Sequence, residues 1–184
     1  MRLCLTRECC VDEDEVSRVL NRVSPVLLAV SRSKLREDVS RDVEASRNAL
    51  VKVLGGARAL RSRVKNLKSL REVDDVETIV NTFVNTLNRV VEVRNLLQRM
   101  KEVAEDSGEQ ELAQRIREAM AYLSALAIEF SAVALRAIHE LKELGRDDCG
   151  KLASAIGTAI FAALLDADTE VVRQALAKCF PGAP

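Results

Sequence analysis

DDVETIVNTFVNTLNRVVEVRNLLQRMKEVAEDSGEQELAQRIREAMAYLSALAIEFSAVALRAIHELKEL, residues 74 to 144, decides the fold. Val76, Val80, Phe83, Leu87, Val90, Leu97 and Ala104 recur at helical spacing and mark one apolar face. Leu112, Ile116, Leu123, Ala127, Phe130, Ala134, Ala137 and Leu141 do so again. Between them, Asp106-Ser107-Gly108 is a compact turn. Two helices of about 30 and 35 residues would each reach roughly 45–50 Å. With so short a link they are expected to lie antiparallel, as a helical hairpin.

The flanking segments read the same way. Residues 11–23 form an amphipathic helix with its acids in the first turn, where the helix dipole favours them. Ser24-Pro25 is expected to end it and open a second helix, with Ser24 as N-cap. That helix runs to Leu54 on a thin stripe of Leu28, Leu35, Val39, Val43, Leu50 and Leu54. Gly55-Gly56 breaks or hinges it, and a third helix covers about 57–71. After Gly145, KLASAIGTAIFAALL (151–165) is apolar on nearly all sides, so it is central or covered by a partner. Its Ala153 and Gly157 permit close helix approach. Asp166 or Asp168 caps a last helix ending near Cys179. No strand pattern is visible. The expected architecture is a single all-α domain over residues 1–184, with a flexible N-terminus at 1–10 and the C-terminal helical pair at 149–180 as a subdomain.

Composition supports this. Of 184 residues, 48% are hydrophobic while glycine, proline and aromatics are scarce, which is the palette of long helices. Arg outnumbers Lys by 20 to 8, which fits a GC-rich genome or a thermophilic source equally. The best membrane candidate, 119–135, is Ala-rich, split by Glu129 and flanked by charge, so a buried bundle helix is the better reading. With no secretory segment visible, the expected location is cytoplasmic, with no transmembrane segment.

Catalytic signatures are thin. GRDDCGKL (145–152) has the glycine-lysine spacing of a phosphate loop. It carries Leu152 where a magnesium-binding hydroxyl belongs, follows a helix, and puts Asp147 and Asp148 in the cradle. It reads as an interhelical turn. His139, the only histidine, has Glu140 and Glu143 beside it, a pattern of exposed surface pairs. Glu129, on a mostly apolar helix, needs a partner or partial exposure. These features point away from an enzyme, a cofactor and a metal site. Of the five cysteines, Cys149 and Cys179 flank two successive helices and would meet if these fold back on each other, so a Cys149–Cys179 disulfide is expected.

Net charge is zero but unevenly divided. Residues 1–71 hold 16 basic against 9 acidic side chains, and residues 72–184 hold 12 against 19. No acid occurs between Glu44 and Glu72. Arg58, Arg61, Lys65 and Lys68 fall within an arc of about 80° on a helix, extended upstream by Arg47 and Lys52 and downstream by Arg71. Such a stripe matches successive phosphates of a nucleic-acid backbone, without aromatic side chains for base stacking. The competing reading pairs it with the chain's own acids at 12–15 or 72–77. A second stripe, Asn81, Asn85, Asn88 and Asn95, reads first as a solvated face and otherwise offers amides to a helical seam or a nucleic acid. Two function classes follow. In the first, favoured by the length of the acid-free run, a binding module grips nucleic acid without sequence preference. In the second, a coat-like or membrane-associated scaffold self-assembles through its oppositely charged halves, as a homo-oligomer or with a helical protein partner.

Overall fold

The computed structural model describes residues 2–4, 9–64, 73–145 and 149–182. Six helices form an all-α bundle: α1 (Glu13–Arg32), α2 (Arg36–Val64), α3 (Val73–Asp106), α4 (Gln110–Glu143), α5 (Gly150–Leu164) and α6 (Thr169–Cys179). Ahead of them stands a feature that no strand pattern in the sequence announces. β1 (Arg2–Cys4) and β2 (Cys10–Asp12) pair antiparallel, with Leu3 opposite Val11 and Cys4 opposite Cys10.

α1 opens on Glu13, Asp14 and Glu15, acids at the positive end of the helix dipole, and closes on Arg32. Its buried stripe of Val16, Val19, Val23, Val26, Leu27 and Val30 follows the helical repeat. Pro25 sits inside this helix, contrary to the expected break at Ser24-Pro25. The valine stripe continues on both sides of it, and burial of that face outweighs the lost hydrogen bond. The break falls instead at Ser33. Its hydroxyl donates to the Val30 carbonyl at 2.7 Å and accepts from the Leu35 N–H at 3.2 Å.

α2 likewise runs straight through Gly55-Gly56, where a hinge is expected. Gly56 is there for space. A Cβ at that position would stand 2.1 Å from Thr86 Oγ1 on α3, so the absence of a side chain lets the two helices approach. The expected third helix over 57–71 is therefore the end of α2 up to Val64, and residues 65–72 lie outside the described part.

α3 and α4, 34 residues each, pack on one another. The turn between them uses Gly108 at φ +76°, a conformation that favours glycine, and the Glu109 N–H donates to the Ala104 carbonyl at 2.9 Å. α4 is the centre of the bundle, touching α1, α3, α5, α6 and β2. It is long and apolar enough to cross a membrane, and 61% of its most apolar window is buried inside the bundle. α5 rests on α3 and α4, and α6 rests on α4, capped by the Asp168 side chain, which accepts from the Glu170 N–H at 3.1 Å.

Cys179 closes α6 and is bonded to Cys9, not to Cys149. The expected Cys149–Cys179 bridge needed α6 to run back along α5. Because α6 lies on α4 instead, Cys179 arrives beside the N-terminal ribbon, whose strand β2 also packs on α4. Cys149 is buried at the N-cap of α5. Cys10 is disulfide-bonded as well.

Candidate interaction surfaces

The basic stripe divides in two. Arg58 Nε donates to Glu13 Oε1 at 2.9 Å, and Arg61 Nη1 pairs with Glu13 Oε2. The arc that carries these two arginines faces α1, whose acidic first turn is within reach. The hydrogen bond from Arg58, joined by that from Arg61 and by both positive charges, holds the Glu13 carboxyl below its ordinary pKa. Arg47 and Lys52 are exposed, and among the described residues neither has a carboxylate at salt-bridge distance. Lys52 is turned from the arc of Arg58 by roughly 120° on the wheel, so the four described cations do not form one row. Lys65, Lys68 and Arg71 lie outside the described residues.

Asn81, Asn85, Asn88 and Asn95 are all exposed on α3 and enter no seam among the described residues. Asn95 Oδ1 accepts from Arg94 Nη1 at 3.4 Å. Arg94 itself is nearly buried and donates from Nε to Asp166 Oδ2 at 2.7 Å, an oxygen that also accepts from the Ser124 hydroxyl at 3.2 Å. This buried cluster ties the end of α5 to α3 and α4.

The outward side of α5 differs in kind. Ala153, Ser154, Gly157, Thr158, Phe161, Leu164 and Leu165 are exposed, with Phe161 at 72% and Leu165 at 65%. No charged side chain interrupts that face between Lys151 and Asp166. Wheel positions put Ser154, Gly157 and Phe161 along its centre. Monomer surfaces carry scattered apolar residues, whereas here Phe161, Leu164 and Leu165 stand together on one helix.

Glu129 lies half-buried on α4 among charged groups from two other helices. Burial, reinforced by the Glu15 carboxylate and opposed by Lys178 and Arg18, pushes its pKa up to about 7. Its Oε2 is buried without a hydrogen-bond partner. His139 is exposed, with Nε2 at 3.4 Å from Glu143 Oε1. Among the described residues, no group of three or more His, Cys, Asp or Glu side chains is placed to hold a metal ion.

Sequence reasoning missed one place altogether, a groove between α1 and α4 where the Arg22 guanidinium stands 5.7 Å from the Tyr122 ring centroid. Nothing local signals it, since its two walls are about a hundred residues apart in the chain. No protein-family model, no curated protein and no solved structure matches the chain. The fold and its surfaces define an all-helical bundle stapled by a disulfide to a two-stranded ribbon.

Proposed function

We propose that the protein is a non-enzymatic helical scaffold whose copies dock through the outward face of α5. The observation that carries this reading is the charge-free row ending in Phe161, Leu164 and Leu165. The occupant is a second copy because the row is self-complementary. Phe161 is a projection, and Gly157 with Ala153, one and two turns earlier, is a notch. An antiparallel two-fold crossing sets each Phe161 over the other copy's notch. The same crossing sets Lys151, at the start of one α5, near the end of the other, beyond which the chain carries Asp166 and Asp168.

The uneven charge division supports assembly as well. Among the described residues, ion pairs join the two halves of the chain only through Lys34–Glu109 and Arg99–Asp42, one in each sense. Among the described residues, pairing between the halves therefore offsets little of the charge division. Light scattering on the eluting protein tests the reading. The native chain is expected to run as a dimer or larger species. The variant Phe161→Glu with Leu165→Glu should run as a monomer of unchanged helix content. A double variant that still associates refutes docking through α5.

The second reading, nucleic-acid binding without sequence preference, is favoured by exposed Arg47 and Lys52, neither of which has a carboxylate at salt-bridge distance among the described residues. It predicts salt-dependent affinity for any nucleic acid, with Arg47→Glu and Lys52→Glu weakening all sequences alike. Affinity that is untouched by these changes removes the stripe from consideration.

A further inference from the structure

We propose that the groove between α1 and α4 is a binding site for a small organic phosphate monoester of nucleotide size. The groove is open to solvent along one side and holds about 430 Å³, a volume within the range of roughly 300–1,000 Å³ typical of small-molecule sites. It is independent of the α5 face and of the basic stripe of α2.

Its chemistry is asymmetric. Two guanidiniums, Arg22 from α1 and Arg115 from α4, line it, and neither has a carboxylate at salt-bridge distance among the described residues. Glu111 and Glu118 stand one turn before and after Arg115 on α4, and neither forms an ion pair among the described residues. Glu118, the one acid in the lining, accepts instead from Gln114 Nε2 at 3.3 Å along its own helix. Two guanidinium forks brought to one cavity from opposite walls suit a doubly charged tetrahedral anion, because each can donate a pair of parallel N–H bonds to it.

The anion does not fill the groove. Pro25, Val26 and Ala119 supply an apolar floor, and Tyr122 closes one side with its ring already steadied by the Arg22 guanidinium over it. This floor and ring favour an organic body attached to the phosphate. A polar edge stands beside it. Asn21, exposed on α1, lines the groove, and its side-chain amide offers an acceptor and donors to hydroxyl or amino groups on the ligand.

Calorimetric titration of the full chain with adenosine monophosphate, inorganic phosphate and adenosine tests the site. Adenosine monophosphate is expected to bind, inorganic phosphate more weakly and adenosine not measurably. Arg22→Ala with Arg115→Ala should weaken the nucleotide at least about tenfold, the loss expected on removing charge-assisted hydrogen bonds. Tyr122→Ala should weaken the nucleotide while leaving inorganic phosphate unchanged. Both variants alter exposed side chains, and circular dichroism verifies that they fold. The proposal fails if adenosine binds as well as its monophosphate, or if neither phosphate binds at millimolar concentration. It also fails if the double arginine variant binds the nucleotide as the native chain does. A 5′-phosphorylated oligonucleotide that binds far more tightly than the mononucleotide, with the same dependence on Arg22 and Arg115, assigns the groove to a nucleic-acid surface and overturns the small-molecule reading.

Discussion

α4 and α5 are the two most apolar helices of the chain, and they end in opposite situations. α4 is covered by α1, α3, α5, α6 and β2, and buries Leu123, Phe130 and Ala134 completely. α5 is covered by α3 and α4 on one side only, through Leu152, Ala155, Ile156, Ala159 and Ala163. On the other side it shows Phe161, Leu164 and Leu165 to solvent. Hydrophobicity around a helix therefore states that it must be covered, without saying by what. α4 finds its cover within the chain; for the outward face of α5, the described residues supply none.

The sharpest way to break this contrast is to remove one phenyl ring from each helix. Phe130→Ala should cost about 3–5 kcal/mol, the range for truncating a fully buried aromatic. Phe161→Ala should change the stability of the dissociated monomer by less than about 0.5 kcal/mol, as surface substitutions do. Urea denaturation at low protein concentration measures both. If Phe161→Ala costs as much as Phe130→Ala, the α5 face is not free and the contrast collapses.

A smaller effect concerns the covalent cover on α4. The Cys9–Cys179 bond joins residues 170 positions apart and holds α6 and the N-terminal ribbon to the bundle. Closing so long a loop restricts the unfolded chain, and its loss should cost about 2–4 kcal/mol. Denaturation of Cys179→Ser, compared with the native chain, reads this directly. Non-reducing peptide mapping should recover the Cys9 and Cys179 peptides linked, and a Cys149–Cys179 peptide would contradict the structure. Smaller again is the polar anchor of α5. Asp166→Ala leaves the nearly buried Arg94 guanidinium and the Ser124 hydroxyl without that acceptor. The expected loss is about 2–3 kcal/mol, since Asp166 retains some contact with water. A neutral result would mean that α5 is held by its apolar face alone.

How much of this was legible depended on whether the determinant was local. The extents of α3 and α4 and the turn at Gly108 could be read because a long periodic pattern and a glycine turn act within a few residues. The ends of α1 and α2 could not. Pro25 and Gly55-Gly56 are breakers by propensity, yet α1 keeps its proline because the valine face is buried on both sides of it. α2 needs Gly56 because Thr86, thirty residues on, stands where a side chain would be. The same limit governs the sites. That acids at 12–15 could neutralise the basic stripe was foreseeable from charge, and Glu13 does so for Arg58 and Arg61. The choice of Cys9 over Cys149, the Arg94–Asp166 pair and the Arg22–Arg115 groove all depend on which helices become neighbours, and no local pattern encodes that.

The mildest test uses Glu129, a half-buried carboxylate that α4 carries toward α1. Glu129 faces Glu15 and Arg18 from α1 and Lys178 from α6, and burial first, then Glu15, raises its pKa from 4.5 to about 7. A carboxyl whose pKa is raised on folding binds its proton more tightly in the folded state. Stability from this group is thus greatest below about pH 4.5, falls as pH rises toward about 7, and is level above that. The total change should be about 1–3 kcal/mol. Glu13 and Glu170 act in the opposite sense, because arginine partners lower their pKa values and their contributions disappear only as the solution becomes acid. Their window lies below that of Glu129, so the two effects separate on the pH axis. Glu129→Gln keeps the shape, cannot ionise and can donate to Glu15. It should flatten the decline between pH 5 and 7 and stabilise the protein at pH 8. Thermal denaturation across this range decides the matter. Parallel curves for variant and native chain would show that α4 meets α1 without a buried proton, and that its coverage there is as free of electrostatic cost as the inner face of α5.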